Sequence, residues 1–305
     1  MLLLFAHVAQ AACDGPAPAW VALGGDVWLL QGEPGEPSVA NRGRVANQVL
    51  ARDGPRLWLI GAGPTPAAAR ALACHVRQRF GRPVSDVVVP WARGEQALGQ
   101  AGWPGARIWA HEAVAATMQR QCTTCLAQLR QRLQAAAADL GAAPIRIPPH
   151  RLQGDSGRLG PWTWWRLARG EGQSALLLRH RGQPMYVAPG WLWADRAPDA
   201  RGADVAELGR SAQRMVELSA GDGDAARWIG EQGPPLDATA PRQLSGYWQA
   251  LQAAATEAVR RGDTALADPP ALPGVPAAWQ TGVPHQFNWQ RAWRQAEDAL
   301  FEPPR

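Results

Sequence analysis

The alternation of apolar and polar residues predicts two antiparallel hairpins near the start of the chain. Residues 20–30 form two short apolar stretches around the turn Gly24-Gly25-Asp26. Residues 44–51 and 56–60 repeat the pattern around the turn Asp53-Gly54-Pro55. Short runs rich in apolar and β-branched residues, bounded by glycine and aspartate, are typical of strands joined by tight turns. These stretches are therefore expected to begin a sheet.

A helix and a fully buried strand are predicted next. Residues 66–80 are expected to form the helix, with Thr65 as its N-cap and Pro66 at the first helical position, where its missing N–H costs nothing. Residues 84–89 form a β-branched run without polar alternation. Such a run is typical of a strand covered on both faces. The loop at its carboxyl end is therefore a natural place for a site.

The remainder of the chain repeats the order of strands followed by helices. Strands are expected at residues 107–110, 144–153, 158–167, 174–179 and 185–187, and helices at residues 113–140, 203–218, 242–261 and 288–301. This order favours two β-rich halves packed face to face with helices outside. We therefore predict an α/β (α+β) fold: a four-layer αββα sandwich at residues 19–240. Residues 241–305, which include a proline-rich linker at 268–276, are expected to form a C-terminal helical extension that packs on it.

The charge of the chain does not point to a nucleic-acid partner. All 31 basic residues are arginine and the net charge is +5, yet the arginines alternate with alanine, glutamine and glycine and form no run. Binding to phosphates needs positive charge gathered on one face, with aromatic side chains placed to stack on bases. The chain of 305 residues is long enough for one large domain with an extension.

The first twelve residues predict an export signal. Residues 1–12 are apolar and run into Ala9-Gln10-Ala11, a small-x-small pattern that signal peptidase cleaves. No arginine or lysine precedes the apolar run, which leaves two alternatives: a start further upstream, or a buried strand. Cys13 suggests a lipoprotein anchor, but Gln10 stands where an aliphatic residue is usual. No other segment has the roughly 20 apolar residues of a membrane-spanning helix.

Two cysteines form a Cys-Thr-Thr-Cys spacing. Cys122 and Cys125 fall on one face of the long predicted helix. One such pair supplies two ligands, whereas tetrahedral zinc takes four, or three and a water molecule. The pair is therefore a candidate for redox or disulfide chemistry, with two small packing thiols as the alternative. Four cysteines in all are too few for a disulfide scaffold in a chain of this length.

Several short sequence marks together resemble one family. They are Asn41-Arg42-Gly43 with Asn47, Gly61-Ala62-Gly63-Pro64, Leu98-Gly99, Ala197-Pro198-Asp199 with Asp204, and Asn288-Trp289-Gln290-Arg291-Ala292-Trp293. In order and spacing they resemble the metallo-β-lactamase superfamily, and within it the zinc hydrolases associated with quinoprotein relay systems. The resemblance covers about residues 19–301.

The resemblance implies a His-x-His-x-Asp-His loop after the buried strand, which holds one or two zinc ions. Counted back from Leu98-Gly99, those four positions are occupied by Trp91, Arg93, Glu95 and Gln96. Tryptophan has no lone pair to donate, arginine stays protonated, and a glutamine amide is a poor zinc ligand. Only the Glu95 carboxylate suits the metal.

The later ligand positions that the resemblance implies are altered as well. The next histidine is expected within residues 169–173, the bridging carboxylate is replaced by Pro189-Gly190, and the last histidine lies opposite Glu231. The six histidines are isolated and do not rebuild a site by spacing. Zinc is therefore expected to be absent. A ligand pocket is expected instead, lined by Trp91, Arg93, Glu95, Gln96, Gly170, Gly190 and Glu231.

These residues favour an exported, non-catalytic binding protein on a hydrolase scaffold. Arginine beside tryptophan suits an anionic or aromatic small molecule, and a periplasmic protein of a quinoprotein system is the other partner the resemblance suggests. The alternative is an active hydrolase with a rearranged metal site, or with metal-free acid and base catalysis by Glu95 and Glu231. Location in the periplasm or secretion follows from the predicted leader.

Overall fold

A computed structural model describes residues 13–142, 145–264 and 268–301, and these residues form two sheets. The first sheet has seven strands in sequence order: β1 Trp20–Gly24, β2 Val27–Leu30, β3 Gln48–Asp53, β4 Arg56–Ile60, β5 Asp86–Val88, β6 Arg107–His111 and β7 His150–Leu152. The second sheet has five strands, in the order β12-β11-β10-β9-β8: β8 Ser156–Leu159, β9 Trp162–Gly170, β10 Gln173–His180, β11 Met185–Val187 and β12 Arg227–Ile229.

Six α-helices accompany the sheets within the described residues. They are α1 Pro66–Phe80, α2 Gly94–Ala97, α3 Glu112–Leu133, α4 Val205–Ser219, α5 Ala240–Arg261 and α6 Gly282–Phe301. Short 3₁₀ turns follow α2, α3 and α4, and another precedes α6. No helix in the described part of the chain is long and apolar enough to cross a membrane. The predicted leader, residues 1–12, lies outside the described residues.

Three apolar clusters show the four layers. One lies between the two sheets and joins Leu29, Val49 and Ile60 of the first sheet to Trp162 and Leu178 of the second. A second covers the outer face of the first sheet with α1 and α3. A third covers the outer face of the second sheet with α4, α5 and α6. The αββα architecture predicted from the sequence is therefore confirmed, with the C-terminal helices packed on the second sheet.

The predicted bounds and N-cap of α1 are confirmed. The Thr65 hydroxyl accepts a hydrogen bond from the Ala68 amide at 3.1 Å, and Pro66 begins the helix. Gly81 ends it in the left-handed conformation, with φ of 69°. A polar cap, a proline at the first position and a glycine at the end satisfy the backbone groups that a helix leaves unpaired.

Several predicted boundaries were wrong, and among the described residues the strand expected at 144–153 comprises only His150–Leu152. The strand expected at 44–51 begins at Gln48, because Asn41 accepts hydrogen bonds from the Ser38 and Gly43 amides and holds the preceding residues in turns. The strand expected at 158–167 is a hairpin, since Gly160 (φ 54°) and the proline after it turn the chain between β8 and β9. The helix expected at 113–140 changes to a 3₁₀ turn at Gln134, where φ is 46°.

The sequence did not indicate two short elements. Strand β12 has three residues and pairs in parallel with β11, so its residues come from a distant part of the chain. Helix α2 is a single turn after β5. Both are too short to show a period, and only their neighbours hold them in place. Helix α6 also begins at Gly282, earlier than the predicted residue 288.

A disulfide that the sequence did not predict ties the N-terminal segment to α1. Cys13 is bonded to Cys74, 61 residues later, with a Cα–Cα distance of 5.6 Å. All four cysteines lie in the described residues, and Cys122 and Cys125 are free thiols.

Replacing Cys74 by serine is expected to lower the free energy of unfolding by about 4 kcal/mol, because the unfolded chain regains the entropy of a loop closed over 61 residues. Urea unfolding followed by tryptophan fluorescence measures this. A reducing agent should produce the same loss in the wild type and none in Cys74→Ser. A loss below about 1 kcal/mol would contradict the stabilising role of the bond.

Candidate functional site

The candidate site lies where β5 of the first sheet and β11 and β12 of the second sheet end. The loop after β5 carries Trp91 and Arg93 into α2, while the loops after β11 and β12 supply Gly190 and Glu231. Asn47 joins the two sheets here, because its side-chain amide donates to the carbonyl oxygens of Gly230 and Gly233 at 3.1 and 2.9 Å. The backbone carbonyl of Glu231 accepts from the Asn47 amide at 2.7 Å. Loops far apart in sequence therefore meet at one edge.

Glu231 is the buried acceptor at the centre. Its carboxylate oxygen Oε2 accepts from Trp91 Nε1 at 3.1 Å and from the Gly190 amide at 3.0 Å, and the residue is only 2% exposed. Gly190 has φ of 81°, and a Cβ there would lie 2.8 Å from the Trp91 ring. Only glycine allows this backbone to approach the indole so closely. The glycine thus makes room for the Trp91–Glu231 contact.

Arg169, the second-last residue of β9, fills the space beside Trp91. The residue is 1% exposed, and its guanidinium carbon lies 4.8 Å from the Trp91 ring centre and 5.2 Å from that of Trp191. It donates hydrogen bonds to the carbonyl oxygens of Gly190 and Asp199. Burial lowers the pKa of Arg169 to about 10, so the group remains charged at neutral pH. The site therefore contains a fixed internal cation.

A second arginine holds two carboxylates. Arg93 Nε donates to Glu95 at 3.2 Å, and its terminal nitrogen donates to Asp199 at 2.6 Å. Burial lowers the pKa of Arg93, but the charges of Glu95 and Asp199 outweigh it and hold the pKa above its usual range. Burial likewise raises the pKa of Asp199, and Arg93 and Arg201 overcome this and keep it well below its usual range. Arg93 and Asp199 are therefore ionised together.

Four partly exposed arginines surround this network, and we call them the arginine rim: Arg93, Arg132, Arg196 and Arg201. Arg132 and Arg196 pair with Glu36 at 2.6 and 2.5 Å. Partial burial raises the pKa of Glu36, but Arg196 above all lowers it to about 2. Arg201 pairs with Asp199 at 2.6 Å. The rim thus gathers four guanidinium groups around Glu36 and Asp199.

The Glu231 carboxyl differs from that of Asp199 in the direction of its pKa shift. Burial, and to a smaller extent the charge of Glu95, raise its pKa to about 7, although Arg93 opposes the shift. Indole and backbone N–H groups hydrogen-bond to it, and no ion pair to Glu231 is formed in the described residues. Glu231 therefore titrates near neutral pH, next to the ion pairs that Asp199 forms with Arg93 and Arg201.

The sequence-derived pocket residues are mostly close together but closed to solvent. Trp91, Glu95, Gln96, Gly190 and Glu231 are all buried. The Gln96 side chain faces Gly61, where a Cβ would lie 2.5 Å from its amide oxygen. Neither amide atom of Gln96 has a hydrogen bond of good geometry among the described residues. Whether these residues bind a ligand stays a prediction.

Gly170 is the one predicted pocket residue that points elsewhere. A Cβ on it would lie 2.4 Å from the Cβ of Asp204, at the start of α4. Successive residues of a strand face opposite sides of a sheet, so Arg169 enters the site while Gly170 lies against α4. The side chain of β9 that lies in the site is therefore that of Arg169, one residue before the predicted Gly170.

Sequence reasoning missed Arg169, Asp199 and Trp191 as members of the site. Asp199 belongs to a family mark, but its distance from the other residues in sequence gave no sign that it pairs with Arg93. Arg169 lies in a segment that the resemblance marked as a ligand position. The available signal was the arginine directly before the glycine that ends the strand, in Leu167-Ala168-Arg169-Gly170.

The C-terminal extension supports the loop that carries Asp199. Asn288 of α6 donates to the Pro198 carbonyl at 2.6 Å and accepts from the Ala200 amide at 3.1 Å. The same side chain donates to the Tyr247 hydroxyl of α5 at 2.9 Å. A buried amide with this many partners fixes the loop on both sides of Asp199. The C-terminal extension therefore contacts the loop that carries Asp199 directly.

The donor atoms at the site do not fit the zinc ions that the fold implies. Zinc takes histidine, cysteinate or carboxylate ligands in tetrahedral geometry. Here Glu95 and Asp199 already pair with Arg93, Glu231 accepts from two N–H groups, and Arg169 places a positive charge among them. Throughout residues 13–142, 145–264 and 268–301, no three His, Cys, Asp or Glu side chains are placed to hold a metal ion.

Known structures share the architecture. A metallo-β-lactamase from Pontibacter korlensis aligns with a TM-score of 0.58 at 13% identity, over 76% of this chain and 99% of that one. The mono-zinc form of the metallo-β-lactamase FIM-1 from Pseudomonas aeruginosa aligns with a TM-score of 0.60 at 14% identity, over 77% and 96%. A metallo-β-lactamase from Erythrobacter litoralis gives 0.59 at 15% identity, over 76% and 96%.

These likenesses establish the fold of this chain. No family model matches the sequence, and no curated protein matches it. At identities of 13 to 15% the structural likeness concerns architecture only. The chemistry of the site has to be argued from the residues that this chain itself places there.

The titration of Glu231 gives a testable pH dependence. Because its folded-state pKa of about 7 lies above the usual 4.5, ionisation opposes folding. Between pH 4.5 and 7 the wild type should therefore lose roughly 3 kcal/mol of stability relative to Glu231→Gln, which keeps an acceptor oxygen for Trp91. Urea unfolding at several pH values measures the difference.

The exposed Glu217 on α4 provides a control for this experiment. The stability of Glu217→Gln relative to the wild type should change by no more than about 0.5 kcal/mol over the same pH range. A Glu231→Gln curve parallel to the wild-type curve would show that the pKa of Glu231 is the same in the folded and unfolded states, which would contradict the proposed state of the site.

Proposed function

We propose that this chain, which has the metallo-β-lactamase fold, is a non-catalytic binding protein. The observation that carries the proposal is the buried guanidinium of Arg169 between Trp91 and Trp191, held by backbone carbonyl groups. An arginine cannot lose its proton to become a ligand and repels a metal cation.

The charge balance favours an anionic ligand. Arg169 and the arginine rim supply five positive charges, whereas Glu36, Glu95 and Asp199 supply three negative ones and Glu231 is only partly ionised near pH 7. Guanidinium groups bind carboxylates through two parallel hydrogen bonds and stack on aromatic rings. A small aromatic carboxylate, or an acidic segment of a periplasmic protein, suits the rim.

Zinc content is the first test of this proposal. Protein purified without a polyhistidine tag is offered excess zinc, exchanged into metal-free buffer and analysed by mass spectrometry. We expect less than about 0.1 equivalent of retained zinc, because the carboxylates are already paired with arginine. One or two equivalents would overturn the proposal and would mean that the arginine network rearranges around a metal.

Ligand binding at the rim is tested with 4-hydroxybenzoate as an anionic aromatic probe. Its titration should raise the melting temperature of the wild type in a saturable way. Arg201→Gln removes a rim charge and should weaken binding at least about tenfold. Arg214→Gln on α4, where the arginine pairs only with Glu217 at the surface, is the matched control and should bind as the wild type does. No response in the wild type would count against this ligand class.

The proposed location is the periplasm or the extracellular medium. A structural disulfide such as Cys13–Cys74 persists in oxidising compartments and is rare where thiols are kept reduced. This agrees with the leader predicted at residues 1–12. Fractionation of cells, with the disulfide detected by its change in gel mobility, tests the location.

One observation favours a second candidate, metal-free acid and base catalysis. The pKa of Glu231, about 7, is near the value that suits a general acid or base. Against this, Glu231 is buried and its Oε2 already accepts two hydrogen bonds. Hydrolytic activity that resists chelating agents and is lost in Glu231→Gln would support this candidate over the binding role.

A further inference from the structure

The Cys122–Cys125 pair lies one helical turn apart on α3, next to the candidate site. Cys122 is buried in the core beneath the first sheet, and Cys125 is half-buried. Each of the two thiols shifts the pKa of the other. Since Cys13 and Cys74 are bonded, these are the two remaining thiols of the chain.

Helical geometry brings the pair near to, but not into, disulfide geometry. Residues three apart in an α-helix have Cα atoms about 5 Å apart, within the roughly 4.4–6.8 Å that a disulfide allows. Their Cβ atoms are about 5–6 Å apart, whereas a disulfide needs about 3.5–4.5 Å. Bond formation therefore requires this turn to tighten toward the 3₁₀ form, which α3 already adopts after Leu133.

The two thiols differ in reactivity. The neighbouring Cys122 thiol lowers the pKa of Cys125, and Arg93 acts in the same direction, although burial and the Glu95 carboxylate oppose the shift. The Cys125 thiol and burial raise the pKa of Cys122. The thiolate is the attacking species in disulfide exchange, and attack also requires access. Cys125 has both properties, and Cys122 is placed to react second.

The pair is in contact with the loop of the candidate site. The Cys125 carbonyl lies beside Gly94, where an added Cβ would be 3.8 Å from its oxygen. Gly94 stands between Arg93 and Glu95, the ion pair at the start of α2. A tightening of the α3 turn would therefore be transmitted to the residues that hold the arginine network.

We propose that Cys122 and Cys125 form a thiol–disulfide exchange site for low-molecular-weight disulfides of the glutathione type. The Cys125 thiolate attacks one sulfur of the disulfide, forms a mixed disulfide and releases one thiolate. Cys122 then loses its proton to solvent and attacks the Cys125 sulfur, and the second thiolate leaves. The released thiolates take up the two protons, so one dithiol and one disulfide become one protein disulfide and two thiols.

The sequence allows a direct readout of this reaction. Trypsin cleavage after Arg120 and Arg130 releases both cysteines in the single peptide 121–130. Folded full-length protein is equilibrated in mixtures of reduced and oxidised glutathione, alkylated at low pH and analysed by mass spectrometry. We expect this peptide to change from doubly alkylated to unalkylated as the fraction of oxidised glutathione rises.

Single variants separate the two roles. Cys122→Ser should accumulate a glutathione adduct on Cys125, at least about tenfold faster than Cys125→Ser forms one on the buried Cys122. Thr124→Ser in the same turn is the matched control and should oxidise like the wild type. Circular dichroism checks that each variant is folded.

The alkylation experiment can also overturn the proposal. If peptide 121–130 remains doubly alkylated in fully oxidised glutathione and reacts only after urea is added, the proposal is overturned and the pair is a packing feature of α3. Equal rates for the two single variants would overturn the assigned roles. This test is independent of zinc content and of ligand binding at the rim.

Discussion

The burial of the Arg169 guanidinium is the constraint on which the rest of the site depends. A charge removed from water has to be compensated by dipoles, aromatic faces or opposite charges, because an unpaired buried charge is strongly destabilising. The compensation comes from the Trp91 ring in the loop after β5, and from the Trp191 ring and the Gly190 and Asp199 carbonyls in the connection between β11 and α4. Loops that each have to satisfy one cation cannot move independently, so the site is closed and fixed.

The carboxylates around this cation differ because their partners differ. Asp199 pairs with Arg93 and Arg201 and stays ionised, whereas Glu231 accepts from the Trp91 indole and the Gly190 amide and has a raised pKa. Both are buried, so burial alone does not decide the charge state. Replacing one member of such a network destabilises the fold, because it leaves another buried charge without its partner.

The C-terminal extension makes the fold and the site one cooperative unit. Asn288 holds the loop of Asp199 from outside, and Arg291 donates to the Ala203 carbonyl and pairs with Glu171 in the turn after β9. The extension thus stabilises both the loop that carries Asp199 and the strand that carries Arg169. Helices that cover the outer face of the second sheet in this way connect the hydrophobic core to the charged network.

The sequence by itself determined the layers of the fold, because apolar periodicity and capping residues act locally: Thr65 and Pro66 begin α1 as their chemistry dictates. It also identified Trp91, Arg93 and Glu95 through their spacing from Leu98-Gly99. Only the tertiary structure decided that Arg169 rather than Gly170 enters the site, since strand register fixes which residue faces which side. The pairing of Arg93 with Asp199, 106 residues apart, likewise depends on how two sheets pack, which no local pattern encodes.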